Sequence, residues 1–230
     1  MLQQTQVERV LPKFEAFIAR FPDFEVLAAA PLADVLVLWN GLGYNRRAKF
    51  LHQAAQTVVT QHGGELPATH EALVALPGVG RNTAGALRAY VYNQPVLYVE
   101  TNVRTVYLHH FFADRRDVTD THIVEQLAAT LWLDHPREFY WALMDYGSWL
   151  KRSGVRNTSA SKHYRRQSPL AGSIREVRGK IIKRLTQGEA TFDTLKAEID
   201  PRDGRFSAAY EQLIAEQLIE QRGDIVRLTN

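Results

Sequence analysis

One ten-residue string, L-P-G-V-G-R-N-T-A-G at positions 76–85, constrains the fold of this chain more than any other part. It lies between two segments with apolar residues at helical spacing, 69–76 and 82–92. Two glycines so close together permit a tight turn and a close approach of the backbone to a ligand. The string therefore predicts two short helices joined by a hairpin, and the second helix begins with backbone N–H groups that suit an anionic oxygen. With Arg81 beside them, a nucleic-acid phosphate is the ligand that we expect.

Helical periodicity continues through most of the chain. Apolar residues recur at helical spacing in residues 7–21, 24–30, 32–39, 46–61, 122–133 and 137–150. Strand-like alternation is scarce there, so the body is predicted to be all-α. Further helical patterns, followed by a turn and a short strand-like run, occupy residues 174–185, 191–199, 206–220 and 225–228. This order predicts a small winged-helix-like module at the C-terminus.

The composition of the 230 residues limits the classes of protein. A hydrophobic fraction of 45% and a charged fraction of 23% are ordinary for a globular protein with a substantial core. No apolar run approaches the roughly 20 residues that span a bilayer, and no signal peptide is recognised, so we expect a cytoplasmic protein without a membrane partner. Because cysteine is absent, disulfides, thiolate metal ligands and thiol catalysis are excluded. The four tryptophans are interpreted as core residues.

The net charge of +3 conceals a basic tract. Residues 151–184 contain eleven Lys and Arg residues against the single acid Glu176. Such a tract is often only a solvated surface. This one also holds Tyr164, and it follows the helices and the hairpin that are predicted to bind a nucleic-acid phosphate. We therefore predict that it contacts phosphates.

The hairpin string resembles the helix–hairpin–helix of the base-excision DNA glycosylases of the endonuclease III and MutY group. Three further stretches resemble MutY-type adenine glycosylases in the same order: M-L-Q-Q-T-Q-V at 1–7, G-L-G-Y with its following arginines at 41–47, and L-M-D-Y-G at 143–147. The resemblance covers roughly residues 1–150. It implies a helix–hairpin–helix glycosylase domain at 1–152, which a basic linker or strap at 153–172 and the winged-helix-like domain at 173–230 would follow. That last module does not resemble the Nudix-like domain that MutY proteins carry.

The resemblance also implies residues that bind DNA. A base inside a duplex must be flipped out of the stack before an enzyme can act on it, and another group fills the gap. Gln3, Gln4 and Tyr44 match family residues that enter the stack or line the pocket. The other predicted DNA contacts are Arg46, Arg47, Pro77, Gly78, Val79, Gly80, Arg81, Asn82, Thr83, Lys151, Arg165 and Arg166.

The catalytic carboxylate of the resembling family is an Asp, and Glu100 stands at that place in this chain. A carboxylate near the sugar can stabilise the positive charge that develops as the base leaves. The longer side chain of Glu either requires a backbone that is set back or alters the activity. A Glu in this position could instead merely cap the next helix. Asn102 matches a family Asn that supports the carboxylate, and we predict that Glu100 and Asn102 form the catalytic pair.

Position 82 indicates the type of reaction. Bifunctional members of the family carry a Lys there, which attacks the sugar through a Schiff base and leads to strand cleavage. Asn82 cannot form an imine. We therefore expect a monofunctional glycosylase that hydrolyses the N-glycosidic bond and leaves an abasic site.

Two features of the family are missing from the sequence. Without cysteine the family's iron–sulfur cluster cannot be held, and its loop would begin at Lys151, so the basic strap is predicted to take over its contacts with DNA. A Glu that protonates the departing adenine in MutY-type enzymes would lie upstream of Met1, and the chain is therefore expected to be truncated at its N-terminus. No metal site is predicted from side chains, although the resemblance leaves room for a monovalent cation at the hairpin carbonyls.

The function predicted from these residues is excision of adenine mispaired with 8-oxoguanine or guanine. The protein would act as a monomer on double-stranded DNA and be associated with the nucleoid. Two alternatives remain open: a glycosylase for thymine or uracil in mismatches, and a module that binds damaged DNA without chemistry.

Overall fold

A computed structural model describes residues 1–162, 169–200 and 204–230. These parts of the chain form twelve α-helices and three short strands. Their bounds are α1 (Val7–Arg20), α2 (Phe24–Ala29), α3 (Leu32–Trp39), α4 (Arg46–His62), α5 (His70–Ala75), α6 (Arg81–Tyr90), α7 (Thr101–His110), α8 (Asp120–Thr130), α9 (Pro136–Arg152), α10 (Ile174–Leu185), β1 (Ala190–Thr191), α11 (Phe192–Ile199), α12 (Arg205–Ala215), β2 (Ile219–Arg222) and β3 (Ile225–Leu228).

The chain divides into two compact units. Unit 1 comprises Met1–Leu66, Leu76–Gly78 and Ser168–Asn230, and unit 2 comprises Pro67–Ala75 and Val79–Gln167. The units are defined by packing. The domains predicted at 1–152, 153–172 and 173–230 concern segments that fold and act independently, and they stay a prediction.

Unit 1 joins the N-terminal helices to the C-terminal module through one hydrophobic core. Side chains of α1, α3 and α4 and side chains of α10, α12 and the strands belong to the same cluster of buried residues. Trp39 and Phe206, each at most 2% exposed, are among its largest members. Since burial of apolar surface is the main stabilising term in folding, the module is held to these helices by more than its chain connection.

The C-terminal module has the order helix, strand, helix, helix, strand, strand. Its antiparallel sheet runs β1–β3–β2, with Ile219 opposite Leu228 and Ala190 opposite Val226. The turn between β2 and β3 contains Gly223, whose φ of +59° suits a residue without a side chain. The prediction of an all-α body followed by a small winged-helix-like module is confirmed.

Unit 2 is a second helical bundle with its own core. Helices α7 and α9 pack against each other, and α8 packs against α7. Buried side chains of these helices and of the segment before α7 form the core, among them Val103, Tyr107, Ile123 and Tyr140. Helix α8 begins at a capping box, in which the Thr119 side chain accepts a hydrogen bond from the backbone of His122.

Some details of the sequence prediction are wrong. The helix predicted over 206–220 ends at Ala215, because Gln217 adopts a left-handed backbone (φ +53°) and the chain then enters β2. Three of the four tryptophans are not core residues, since Trp132, Trp141 and Trp149 are each more than half exposed and only Trp39 is buried. Helical spacing alone does not reveal which face of a helix a neighbour covers.

Candidate active site and DNA-contact residues

The hairpin turn requires glycine at position 78. Gly78 has a φ of +75°, and a Cβ at this position would lie 2.6 Å from the Cβ of Phe50 on α4. An added side chain would therefore meet both backbone strain and a steric clash. Pro77, which precedes it, and Gly78 belong to unit 1 with Phe50.

Helix α6 begins immediately after this turn, with Gly80 as its N-cap residue. The first backbone bond of the helix runs from the Ala84 N–H to the Gly80 carbonyl oxygen over 2.9 Å. The N–H groups of Arg81, Asn82 and Thr83 come before that bond, as at any helix N-terminus. The Arg81 side chain is exposed beside them. Val79 lies between Gly78 and the N-cap residue Gly80.

Asn82 ties the first turn of α6 to the segment before α7. Its Nδ2 donates a hydrogen bond to the carbonyl oxygen of Val99 over 3.1 Å. One turn later, Gly85 packs closely against Tyr98, and a Cβ at position 85 would lie 2.8 Å from the Tyr98 Cβ. The Asn82 amide therefore fixes the residue that precedes Glu100.

Glu100 is the N-cap residue of α7, with an extended backbone (φ −101°, ψ 173°). Its carbonyl oxygen accepts the first helical bond, from the Arg104 N–H over 2.8 Å, but its side chain accepts no capping bond. The half-buried carboxylate lies within electrostatic range of two tyrosines. Burial above all, and Glu100 to a smaller extent, raise the pKa of Tyr90 and of Tyr98. Glu100 thus occupies a capping position without using its carboxylate as a cap.

Asn102, in the first turn of α7, has both polar atoms of its side chain bound by α9. Its Nδ2 donates to the Met144 carbonyl oxygen over 2.9 Å, and its Oδ1 accepts from Lys151 Nζ over 2.6 Å. Burial, and after it the Arg104 charge, lower the pKa of Lys151. Helix α9 also packs closely on Asn102 at Gly147, where a Cβ would lie 2.5 Å from the Asn102 carbonyl oxygen. The Lys151 ammonium, predicted to contact DNA, is directed at Asn102.

Arg47 is the centre of a hydrogen-bond network in unit 1. Its guanidinium donates to the carbonyl oxygens of Met1 (3.0 Å), Gln3, Leu42 (3.3 Å) and Gly43 (3.2 Å) and to Oγ1 of Thr5 over 2.8 Å. Burial is the main cause that lowers its pKa. Arg47 therefore joins residues 1–5 to the loop before α4.

Two of the three residues predicted to enter the DNA stack or line the base pocket have left-handed backbones. Gln4 has a φ of +59° and Tyr44 a φ of +50°, which are uncommon values for residues other than glycine. Such strained residues persist where the surrounding structure holds them, and they are frequent at functional sites. Gln3 and Gln4 are exposed, and Tyr44 is 37% exposed.

Two further cations on α4 make contacts within unit 1. The Arg46 guanidinium lies 5.2 Å from the Phe50 ring centre and 4.0 Å from a Glu216 carboxylate oxygen. Lys49 donates to the Glu216 carbonyl oxygen over 2.7 Å and to Gln217. The predicted DNA contact by Arg46 stays a prediction.

Two predicted DNA contacts, Arg165 and Arg166, lie outside the described residues. Among residues 1–162, 169–200 and 204–230, no group of three or more His, Asp or Glu side chains is placed to hold a metal ion. In the same parts of the chain, no helix is both long and apolar enough to cross a bilayer. A cation at the hairpin carbonyls stays a prediction.

Sequence reasoning did not single out Arg175, which it counted only as part of the basic tract. Its Nη1 donates to the hydroxyl oxygen of Tyr44 over 2.8 Å. It also missed the two-point bond of Arg104 to Asp120, which joins α7 to α8. Nothing in the local sequence distinguishes these arginines from their neighbours, because their partners lie far away along the chain.

Known proteins are similar to this chain in sequence and in fold. The family model described as HhH-GPD superfamily base excision DNA repair protein matches residues 1–133. An adenine DNA glycosylase of Mycolicibacterium smegmatis is 33% identical over 244 residues, which cover 97% of this chain and 83% of the relative. An adenine DNA glycosylase of Mycobacterium tuberculosis is 34% identical over 252 residues, with 97% and 81% covered. The human adenine DNA glycosylase is 39% identical over 153 residues, 64% of this chain and 28% of the relative.

Solved structures agree on the fold. A thermostable thymine-DNA glycosylase has a TM-score of 0.57 and 21% identity, with 71% of this chain and 79% of the other covered. A trapped endonuclease III–DNA covalent intermediate has a TM-score of 0.59 and 18% identity, with 70% and 76% covered. The match of the family model to more than half of the chain, and the relatives similar over nearly its whole length, identify the chain as a member of the HhH-GPD superfamily of base excision DNA repair proteins.

Proposed function

We propose that this protein is a monofunctional DNA glycosylase that removes adenine mispaired with 8-oxoguanine or guanine. Similarity over nearly the whole chain to adenine DNA glycosylases supports adenine as the target. One structural observation carries the assignment of the site. The bond from Asn82 to Val99 ties the first turn of α6 to the residue before Glu100. A phosphate bound at α6 would therefore be held in a fixed relation to the carboxylate.

The reaction follows from the chemistry of these groups. With the adenine flipped out of the stack, the Glu100 carboxylate stabilises the positive charge that develops on the sugar as the N-glycosidic bond breaks. At about 4 Å and an effective dielectric of about 20, this attraction is worth roughly 4 kcal/mol, or close to a thousandfold in rate. The adenine leaves with the electron pair of the bond and becomes protonated, and water adds to the sugar carbon, so that water supplies overall both the hydroxyl and that proton. Because the Asn82 amide cannot form an imine, the product is an abasic site in an intact strand.

The protein is expected to act as a monomer on double-stranded DNA at the nucleoid of the cytoplasm. Single-turnover incubation with four duplexes tests the target: adenine opposite 8-oxoguanine, adenine opposite guanine, thymine opposite guanine and uracil opposite guanine. Alkali then reveals abasic sites. We expect cleavage of the two adenine strands only, and no covalent complex on treatment with borohydride.

A pair of variants separates chemistry from binding. Glu100→Gln is expected to lower the excision rate about a thousandfold while DNA binding persists. Glu71→Gln, which changes an exposed Glu in the first turn of α5, is the matched control and should retain the rate. Excision of thymine or uracil alone would establish the mismatch alternative. Binding without any abasic product in the unmodified protein would indicate a damage-binding module and contradict the proposal.

A further inference from the structure

The Arg47 guanidinium lies near the Tyr44 ring. Tyr44 lies in the loop between α3 and α4, between Gly43 (φ +75°) and α4. The Arg47 guanidinium carbon lies 5.7 Å from the Tyr44 ring centre and 5.2 Å from that of Trp39. Trp39 is buried, and its Nε1 donates to the Gly43 carbonyl oxygen over 3.2 Å. The loop that carries Tyr44 is therefore anchored to the N-terminal helices.

The hydroxyl end of the same ring is held by the C-terminal module. Arg175, the second residue of α10, donates from Nη1 to the Tyr44 hydroxyl oxygen over 2.8 Å. Its guanidinium carbon lies 5.9 Å from the Tyr44 ring centre. A hydrogen bond from a charged donor is among the stronger ones in proteins, and a guanidinium near an aromatic ring adds a cation–π attraction.

Arg175 is presented by a rigid element. The N-cap Ser173 accepts a bond from the Glu176 backbone, which fixes the first turn of α10. Arg178, one turn further on, binds the Glu216 carboxylate of α12 through both terminal nitrogens. Lys49 of α4 donates to the carbonyl oxygen of the same Glu216. The module also shares its core with the N-terminal helices. The helix that carries Arg175 is therefore packed firmly within unit 1.

The helix α12 of the module is poorly suited to bind DNA itself. In helix-turn-helix domains the second helix of the motif enters the major groove with polar and basic side chains. Helix α12 carries Glu211 and a single basic residue, Arg205, and its C-cap residue is Glu216. Glu216 and Gln212 are both bound by Arg178. A module that does not read DNA through this helix therefore needs another role.

We propose that Arg175 is a positioning residue that fixes the Tyr44 ring for entry into the duplex, so that the C-terminal module takes part in opening the target base pair. This inference rests on the proposed function and on the predicted entry of Tyr44 into the stack. A side chain that fills the gap left by a flipped base must keep its position between the neighbouring bases. The hydrogen bond from Arg175 holds the Tyr44 ring at its hydroxyl group. The backbone of Tyr44, in its left-handed conformation, holds the ring at the Cα.

The test measures base-pair opening separately from chemistry. Duplexes carry 2-aminopurine next to the target adenine, and its fluorescence rises as the target leaves the stack. Arg175→Met and Tyr44→Phe each remove one partner of the bond, and we expect each to lower the fluorescence change and the single-turnover excision rate about tenfold. The double variant should lose no more than either single one, because both remove the same bond. Lys196→Met, which changes an exposed cation of α11 outside the basic tract, is the matched control.

Each result has a distinct meaning. If Arg175→Met weakens DNA binding and its salt dependence while Tyr44→Phe changes nothing, Arg175 contacts a phosphate and the inference is wrong. Additive effects in the double variant would also overturn it. Should Arg175→Met fail to fold, Tyr44→Phe alone must still reduce the fluorescence change. If the unmodified protein removes no adenine, the proposed function fails, but the fluorescence comparison with Lys196→Met still tests Arg175.

Discussion

The contact of Gly147 with α7 gives a prediction about the carboxylate. A Cβ at position 147 would lie 2.5 Å from the Asn102 carbonyl oxygen. That separation is about 0.9 Å shorter than an ordinary van der Waals contact of 3.4 Å. The atom in the way belongs to the backbone of α7, so no flexible side chain can yield. In Gly147→Ala, α7 and α9 must therefore separate by roughly that distance, which displaces the first turn of α7, with Glu100 at its start, relative to α9.

Such a displacement has two measurable consequences. Overpacking a well-filled core costs about 1–3 kcal/mol in the free energy of unfolding. A shift of about 1 Å in a catalytic group costs on the order of a hundredfold in rate. Urea unfolding reports the first quantity. Single-turnover excision of adenine at saturating protein reports the second, since it is insensitive to DNA affinity.

Gly179→Ala is the matched control for this substitution. Gly179 also lies within a helix, α10, but a Cβ there would meet nothing within 4 Å. Ala favours a helix over Gly by about 1 kcal/mol, so this variant should be more stable and should excise adenine at the original rate. If Gly147→Ala retains both stability and rate, the close packing of α9 on α7 does not fix Glu100, and the reasoning is refuted.

Two further predictions concern unit 2. Lys151→Met should lower the excision rate about tenfold through Asn102, and an unchanged rate would contradict this role. A salt slope of DNA binding that falls by about one unit would indicate that Lys151 also contacts a phosphate. Arg152→Met is the control of equal charge. Burial is the largest cause that raises the pKa of Tyr98 and of Tyr140 above the usual 10.0. Their contribution to stability is complete below pH 10 and falls as the pH rises further, by about 1.4 kcal/mol per pH unit for each tyrosine. Urea unfolding between pH 8.5 and 11 should show this loss, and a flat profile would contradict it.

Local sequence was sufficient for the parts of the site that depend on the backbone. The glycines at 78 and 80 predicted the hairpin, and the structure adds only that Phe50 makes glycine necessary at position 78. The absence of a Lys at position 82 is likewise a property of one residue. Such features follow from local conformational preference and residue chemistry, which do not require knowledge of distant contacts.

The direction of long cationic side chains could not be predicted in this way. Arg47 and Lys151 were both predicted to contact DNA. The structure directs Arg47 at carbonyl oxygens of the N-terminal segment and Lys151 at Asn102. A cationic side chain that loses hydration on folding needs polar partners that replace the water. Only the tertiary fold brings those partners near. Whether either residue also contacts DNA stays a prediction.

The sequence by itself determined the helical fold, the hairpin, the carboxylate at position 100 and the absence of thiolate ligands. Only the tertiary structure decided that the C-terminal module shares its core with the N-terminal helices and that Arg175 reaches Tyr44, 131 residues away along the chain. The physical reason is the range of the forces. Turn geometry and helical periodicity act over a few residues, whereas burial and pairing join residues that only the completed fold places together.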